Sequence, residues 1–423
     1  MRPTVSIMSD SLLSSAVQLD EQFADSSRRD SFLFPQHEGR DVVYLCGNSL
    51  GLQPKMTRQL LTEELDAWSE LAVEGHFQGR RPWFSYHEPA QQLAAPIVGA
   101  LPHEVVMMNT LTTNLHLLMV SFYRPTPERF IILTEAGAFP SDRQALRSQA
   151  SHHGFDPDAA VIELAPRPGE DTLRDADILA AITEHGPRLA LVMMAGVQFR
   201  TGQVFDIPGI TAAAHAVGAY AGFDLAHAAG NLPLQLHDSG ADFAVWCSYK
   251  YLNSGPGSIG GAFVHERHAD SAMPRFAGWW GHEPSTRFQM TGDFHPQRGA
   301  AGWQLSNVPV FSTAPFLAAA QLFVDVGMPR LHARALAMND FFRAAMASEL
   351  PRVKMVTPES GLRGCQLSLR LPTEAQPVQQ RLLASGIVTD FRPPDIIRAA
   401  PVPLYNTFSD IARFVSALRE VLA

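Results

Sequence analysis

GFDLAHAAGN (222–231) and SYKYLNSGPGS (248–258) are the two stretches that decide the fold of this chain. The first carries Asp224 at the end of an apolar, strand-like run, and the second carries Lys250 at the end of the next such run. A pyridoxal phosphate enzyme needs this pair, because an acid keeps the pyridine nitrogen protonated and a lysine tethers the cofactor aldehyde. We therefore predict that Asp224 and Lys250 hold the two ends of one cofactor ring. Taken alone, both also fit a structural interpretation, in which Asp224 caps a helix and Lys250 is a solvated strand end.

Apolar, partly β-branched runs recur through the middle of the chain, at 104–108, 130–134, 161–164, 189–194, 219–224, 243–247 and 261–265. Amphipathic stretches such as 173–184 and 210–217 lie between several of them, and this alternation predicts a mainly parallel sheet covered by helices. Ligands of such sheets bind at the strand ends. Outside the sheet, a strand is predicted at 365–371, and helices are predicted at 11–23, 55–73, 331–349, 375–385 and 408–422.

The composition is that of a globular protein with a small-molecule substrate. Among 423 residues, 46% are hydrophobic and 18% are charged, and no apolar run reaches the roughly 18 to 20 residues of a membrane helix. The N-terminus lacks the pattern of an export signal, so we expect a cytoplasmic protein. The net charge of −9 comes without a basic run, which argues against nucleic acid or a membrane surface as a partner.

Metal and dinucleotide sites are not predicted. GPGSIG (255–260) satisfies the pattern G-x-G-x-x-G. A dinucleotide site needs a helix after these glycines, but Pro256 and the strand-like run that follows argue against a helix here. HERH (265–268) is one residue short of the zinc pattern H-E-x-x-H. The three cysteines, Cys46, Cys247 and Cys365, include no C-x-x-C pair, which argues against a disulfide framework or a structural zinc.

The two opening stretches, read together with others that follow in the same order, closely resemble the kynureninase family. The further matching stretches are YLCGNSLGLQPK (44–55), RPW (81–83), NTLTTNLH (109–116), AFPSD (138–142), GVQFRTGQ (196–203), GWWGH (278–282) and QLSNVPVFS (304–312). The resemblance implies pyridoxal phosphate fold type I, which is aspartate aminotransferase-like. It has a large domain with a mainly parallel seven-stranded sheet and a smaller α/β domain built from both termini. We accordingly expect an N-terminal segment at 1–50, a large domain at 51–312 and a small domain at 313–423.

The resemblance also implies the site residues, which we group by role. Catalytic roles fall to Lys250, Asp224 and Tyr249, the last as a proton donor or relay. The residues matching cofactor contacts are Leu111, Thr112, Phe139, Pro140, Ser141, Asp142, Asp224, His227, Tyr249, Lys250, Trp279 and Asn307. The residues matching substrate contacts are Arg398 for the carboxylate, and His76, Ser49, Ser306 and Asn307. A homodimer is implied, with active sites at the subunit interface and Trp279 supplied by the opposite subunit.

The residues themselves support some of these roles and leave alternatives open. NTLTTN (109–114) precedes a helix-like stretch, where backbone N–H groups and hydroxyls favour a phosphate, although Thr and Asn are also ordinary helix caps. Arg398 stands in an otherwise apolar segment, and its planar fork fits an amino acid carboxylate, although most arginines lie on the surface. His76 and Ser306 equally fit a loop and a turn.

The implied reaction is hydrolysis of L-kynurenine to anthranilate and L-alanine. Preference for 3-hydroxykynurenine stays open, as does a place in tryptophan catabolism or in NAD precursor synthesis. An aminotransferase or cysteine desulfurase on the same fold is the enzymatic alternative, because fold does not decide chemistry. Cys365 is the candidate nucleophile of a desulfurase, but it begins an alternating, strand-like segment that favours a buried role. A catalytically silent protein that binds the cofactor is the alternative from another class.

Overall fold

The computed structural model of the chain describes residues 10–289 and 292–423. Its helices are α1 (Asp10–Gln22), α2 (Met56–Leu71), α3 (His87–Val98), α4 (Leu111–Phe122), α5 (Pro140–His152), α6 (Pro157–Ala160), α7 (Asp175–His185), α8 (Ile207–Ala216), α9 (Leu236–Ser239), α10 (Val310–Val326), α11 (Met328–Glu349), α12 (Ala375–Ala384) and α13 (Phe408–Leu422). Its strands are β1 (Phe32–Leu33), β2 (Gln36–His37), β3 (Arg40–Asp41), β4 (Val43–Tyr44), β5 (Gln53–Pro54), β6 (Val105–Met107), β7 (Ile131–Glu135), β8 (Val161–Leu164), β9 (Leu189–Ala195), β10 (Tyr220–Asp224), β11 (Phe243–Cys247), β12 (Gly260–Val264), β13 (Lys354–Met355), β14 (Leu367–Arg370), β15 (Ile387–Val388), β16 (Asp390–Arg392) and β17 (Ile396–Ala399).

A seven-stranded sheet in the order β6-β12-β11-β10-β9-β7-β8 forms the centre of the molecule. Strand β12 runs antiparallel to β6 and β11, and the other pairs are parallel. The six strands that share a direction therefore bring their carboxyl ends to one edge of the sheet. The prediction of a mainly parallel, seven-stranded sheet is confirmed.

Helices cover both faces of this sheet, and the alternation of side chains explains why. Along β11, Ala244 and Trp246 join one buried cluster, whereas Phe243 and Val245 join the cluster on the opposite face. Successive side chains of a strand point to opposite faces, so a strand that is apolar throughout must be covered on both. The run of buried residues in β11 is thus the signature of a central strand.

A second apolar core lies among α1, α11, α12, α13 and a four-stranded sheet in the order β13-β14-β17-β16. Val43 and Leu45 of the N-terminal segment belong to this core, so both ends of the described chain contribute to it. Helix α10 begins near the predicted boundary at 312, but its buried Phe316 and Phe323 pack into the large core. The boundaries at 50 and 312 stay predictions.

Helix α8 begins three residues before the predicted start at Ile210. The side chain of Asp206 accepts a hydrogen bond from the Gly209 N–H at 3.2 Å, and Pro208 occupies the first turn. Both features stabilise a helix start, because they satisfy or remove N–H groups that have no partner inside the helix. The apolar periodicity on which the prediction rested begins only after this cap.

No single helix of the described residues has the length and apolar character to cross a membrane. Helices α10 and α11 have the required length and apolar character only when they are taken together, and the pair is bent by 81°.

Candidate active site

A cavity of about 240 Å³ opens at the edge where the parallel strands end. Residues that follow or end β7, β9, β10 and β11 line it together with the start of α4. Nine of the predicted site residues are among them: Leu111, Thr112, Phe139, Ser141, Asp142, Asp224, His227, Tyr249 and Lys250. Residues distant in sequence converge here because a parallel sheet gathers the carboxyl ends of its strands.

The turn that carries Lys250 is held by the backbone at Gly51. The Gly51 N–H donates to the Tyr249 carbonyl at 2.8 Å, and the Asn253 N–H donates to the Lys250 carbonyl at 2.9 Å. A Cβ at Gly51 would lie 2.4 Å from the Lys250 carbonyl oxygen, so this approach requires glycine. The Lys250 Nζ lies 5.6 Å from the centre of the Phe139 ring. The amine therefore projects into the cavity from a rigid turn.

Three carboxyl groups line the same cavity. Asp224, Asp142 and Glu135 are all buried, and Asp224 accepts a hydrogen bond from the Ala226 N–H at 2.6 Å. Burial and the neighbouring Asp224 hold the pKa of Asp142 well above its usual range. Burial raises the pKa of Glu135 to about 7, despite a hydrogen bond from the Ala195 N–H. Asp142 and Glu135 can therefore be protonated and act as hydrogen-bond donors in the cavity.

His227 is buried and lines the cavity. Burial, and next the ammonium of Lys250, hold its pKa well below the usual range, so the imidazole is neutral. Its Nδ1 has no hydrogen-bond partner among residues 10–289 and 292–423. A neutral ring with an unused buried nitrogen suits contact with a flat aromatic ligand.

The starts of α4 and α5 meet at the cavity, where Thr112 and Ser141 both line it. Thr112 Oγ1 and Ser141 Oγ lie 2.7 Å apart, and no side chain caps either helix. Uncapped N–H groups and hydroxyls at two helix starts favour an anion. Nearby, burial raises the pKa of the Tyr249 phenol, which stays protonated at neutral pH.

These features fit pyridoxal phosphate. The helix starts and hydroxyls suit its phosphate, Asp224 suits its ring nitrogen, and Lys250 suits its aldehyde. The unpartnered Oδ1 of Asp142 and Nδ1 of His227 are buried polar atoms for which the described chain offers no partner, as expected for a site that receives a polar ligand.

Other predicted site residues lie outside the lining of this cavity. Pro140 follows Phe139 as the first residue of α5, and Ser49 is an exposed residue near Gly51. An exposed surface brings together Trp279, Ser306 and Asn307. The Leu305 backbone packs against Gly278, and its carbonyl accepts a hydrogen bond from the Trp280 N–H. His76 packs against Trp83 and Phe77 near that surface.

Arg398 is buried behind Phe199, whose ring lines the cavity. Its Nη1 donates to the Phe199 carbonyl at 2.7 Å, and its Nε donates to Asp390 at 2.6 Å. The alternative of a surface arginine is wrong, because only 1% of the residue is exposed. Arg398 therefore contacts Phe199, a lining residue, but is not itself among the residues that line the cavity.

Five lining residues were not predicted: Glu135, Ala195, Val197, Phe199 and Ala226. Glu135 carried a signal in the sequence, since it is a lone acid at the end of the apolar run of β7, as Asp224 is of β10. Phe199 lies in the matched stretch GVQFRTGQ, but its side chain has no titratable group, so the sequence indicated no function for it.

Glu135→Gln is expected to remove a pH dependence of stability. The pKa of Glu135 is raised in the folded chain to about 7 from an ordinary 4.5, so the unfolding free energy falls as pH rises between these values. The loss amounts to roughly 3 kcal/mol, and the glutamine variant lacks it. Urea unfolding of cofactor-free protein at pH 5 and pH 7.5 measures the difference. Parallel profiles for the two proteins would place the titration elsewhere.

Two family models and curated relatives match most of the chain. A model described as aminotransferase class-V matches residues 44–367, and one described as kynureninase C-terminal domain matches residues 331–418. The kynureninase of Myxococcus xanthus (strain DK1622) is 55% identical over 408 residues, covering 95% of this chain and 96% of that protein. The kynureninase of Xanthomonas campestris pv. campestris (strain B100) is 53% identical, with the same coverages.

Solved structures support the fold alone. The cysteine desulfurase of Thermococcus onnurineus NA1 superposes with a TM-score of 0.74 at 17% identity, covering 90% of this chain and 94% of its own. The cystine C-S lyase C-DES superposes with a TM-score of 0.75 at 18% identity, covering 90% and 97%. The extent and identity of the sequence matches decide among enzymes of this fold, and the chain belongs to the kynureninase family.

Proposed function

We propose that the protein hydrolyses L-kynurenine to anthranilate and L-alanine with pyridoxal phosphate as cofactor. The observation that carries this proposal is that Lys250 and Asp224 line one cavity at the carboxyl edge of the sheet. The chain is also more than 50% identical to kynureninases along almost its full length. The direct test is turnover of L-kynurenine by the yellow, cofactor-loaded protein, followed by anthranilate fluorescence.

Pyridoxal phosphate, when bound, supplies an electron sink for the bonds at the substrate Cα. We propose that Lys250 tethers it and that Asp224 pairs with its ring nitrogen. The hydroxyls of Thr112 and Ser141 and the phenol of Tyr249 hold the phosphate, together with the start of α4 near Leu111. Phe139, Pro140, Asp142 and His227 complete the pocket around the ring.

Lys250 is also the base that we propose for the Cα proton, once substrate has displaced it. Its Nζ lies 5.6 Å from the centre of the Phe139 ring and lines the cavity, so the freed amine stays close to the bound substrate. Tyr249 is protonated at neutral pH and next to Lys250, which supports a role as proton donor or relay. Water then cleaves the bond between Cβ and Cγ of the substrate.

The alternative of a cysteine desulfurase finds no support in Cys365. That residue is 1% exposed, and burial raises the pKa of its thiol to about 12. A nucleophilic cysteine needs access and a lowered pKa. A silent cofactor-binding protein is distinguished from the proposed enzyme by the turnover assay.

We further propose a homodimer in which Trp279 and Asn307 complete the site of the partner. Phe77, Phe84, Phe288 and Trp279 form a continuous chain of ring contacts on the surface, with centres 5.3 to 5.9 Å apart. Phe77, Phe288 and Trp279 are each exposed by about half or more. Exposed aromatic surface of this extent is typical of a subunit interface. Sedimentation equilibrium tests the dimer, and Trp279→Ala, which should then weaken cofactor retention, tests the shared site.

Truncations at the two ends of the proposed substrate site should fail differently. Arg398→Ala should weaken L-kynurenine and L-alanine alike, by about 3 to 5 kcal/mol, because both ligands carry the carboxylate and the arginine is buried. His76→Ala should impair L-kynurenine and spare L-alanine, which has no aromatic ring. Kinetics on L-kynurenine and titration of the cofactor absorbance with L-alanine measure the two effects. Equal losses for both ligands in His76→Ala would remove His76 from the aromatic pocket.

We propose a cytoplasmic enzyme whose pathway depends on its preferred substrate. Preference for L-kynurenine places it in tryptophan catabolism, and preference for 3-hydroxykynurenine places it in NAD precursor synthesis. Ser49 and Ser306 are the proposed polar contacts of the substrate. Comparing kcat/KM on the two substrates decides between them.

A further inference from the structure

Asp390 and Arg398 form a buried pair across two antiparallel strands. They are directly opposite in the register of β16 and β17. The Arg398 Nε donates to Asp390 Oδ1 at 2.6 Å, and Nη2 donates to Asp390 Oδ2. The arginine side chain is 1% exposed and the aspartate side chain 17%. A two-point contact of this kind fixes the plane of the guanidinium as well as its position.

The hydrogen bonds of Arg398 leave two of its N–H groups without a partner in the described chain. A guanidinium has five N–H donors. Asp390 takes one on Nε and one on Nη2, and the Phe199 carbonyl takes one on Nη1 at 2.7 Å. Within residues 10–289 and 292–423, one N–H remains on each terminal nitrogen. N–H groups on these two neighbouring nitrogens can donate to the two oxygens of a carboxylate.

The Phe199 carbonyl is itself held in place. The Gln366 Nε2 donates to it at 2.9 Å, and the Gln366 Oε1 accepts from the Asn48 side chain at 3.3 Å. The Phe199 ring lines the cofactor cavity and packs edge-on against Phe139 with ring centres 5.3 Å apart. Arg398 is thus held on one side by its strand partner and on the other by the wall of the cavity.

We propose that Asp390 is a positioning residue for substrate: it holds Arg398 so that the free N–H groups of its two terminal nitrogens receive the α-carboxylate. This inference rests on the proposed function, since it takes Arg398 as the carboxylate receptor. Asp390 makes no contact with substrate. It acts through the orientation of Arg398, and it balances a charge that would otherwise be buried alone before substrate arrives.

The test is Asp390→Asn in the cofactor-loaded protein, because asparagine keeps the shape but replaces one accepting oxygen with a donor. The visible absorbance of the cofactor is titrated with L-alanine and with kynuramine, the decarboxylated form of kynurenine. We expect L-alanine to bind about 10- to 100-fold more weakly and the KM for L-kynurenine to rise similarly. Kynuramine, which has no carboxylate for Arg398, should bind as it does to the wild type. Asp390→Glu keeps the charge and should recover part of the loss.

Asp395→Asn is the matched control. Asp395 precedes the same strand β17 and pairs with Arg370 at 3.2 Å on the partly exposed side of the sheet. It should leave both ligands unaffected. Tighter L-alanine binding in Asp390→Asn would mean that Asp390 competes with substrate, and equal loss of kynuramine would mean that it only supports the fold of the pocket. Either result, or no change, overturns the proposal. Failure of the wild type to turn over L-kynurenine would instead overturn the proposed function, and the L-alanine titration would still test Asp390.

Discussion

Lys250→Ala is expected to abolish both turnover and the covalent attachment of the cofactor. Lys250 is the lysine that lines the cavity, 5.6 Å from the Phe139 ring, and the chain contains only two others, Lys55 and Lys354. Loss of a general base alone costs about 10²- to 10⁴-fold in rate, and loss of the tether adds to this. The assays are anthranilate formation and the visible absorbance band, which borohydride should remove from wild type by fixing the cofactor on Lys250.

The small number of lysines makes the assignment easy to check. Lys354 is an exposed residue paired with Asp171 at 3.1 Å, so Lys354→Ala should retain colour and activity and serves as the matched control. Peptide mapping after borohydride reduction has only three possible sites. A reduced adduct on Lys55 or Lys354 would refute the role of Lys250.

Asp224→Asn is expected to keep the cofactor and lose most of the activity. Asp224 is buried on the cavity wall and is oriented by the Ala226 N–H, so an amide would fit the same place. An amide cannot hold the ring nitrogen protonated, and the electron sink weakens. A charge-assisted hydrogen bond contributes about 1.5 to 3 kcal/mol, which is about one to two decades in rate if it acts in the transition state.

A helix cap supplies the control for this second substitution. Asp206→Asn replaces a carboxylate that caps α8 with another good capping residue, and it should leave kcat and stability nearly unchanged. Cofactor content is read from absorbance after release in alkali, and kcat is read from anthranilate formation. An Asp224→Asn variant with normal content and normal kcat would show that another acid serves the ring nitrogen.

Local sequence was sufficient for the sheet and for the residues at its carboxyl edge. The seven apolar runs correspond to β6–β12 with end shifts of at most one residue, because strands buried on both faces must be apolar throughout. Asp224 ends β10 and Lys250 follows β11 by three residues, and parallel strands bring their carboxyl ends to one edge of the sheet. These residues could therefore be placed together from the sequence.

Tertiary structure alone decided the surroundings of those residues. Glu135 reaches the cavity because β7 pairs with β9 and brings it to the Ala195 N–H, and burial together with the neighbouring Asp224 then raises the pKa of Glu135. The pairing of Arg398 with Asp390 depends on the register of β16 and β17, and the sequence of neither strand determines that register. Burial, register and charge balance are properties of contacts between distant segments, so residue types and their spacing along the chain do not determine them.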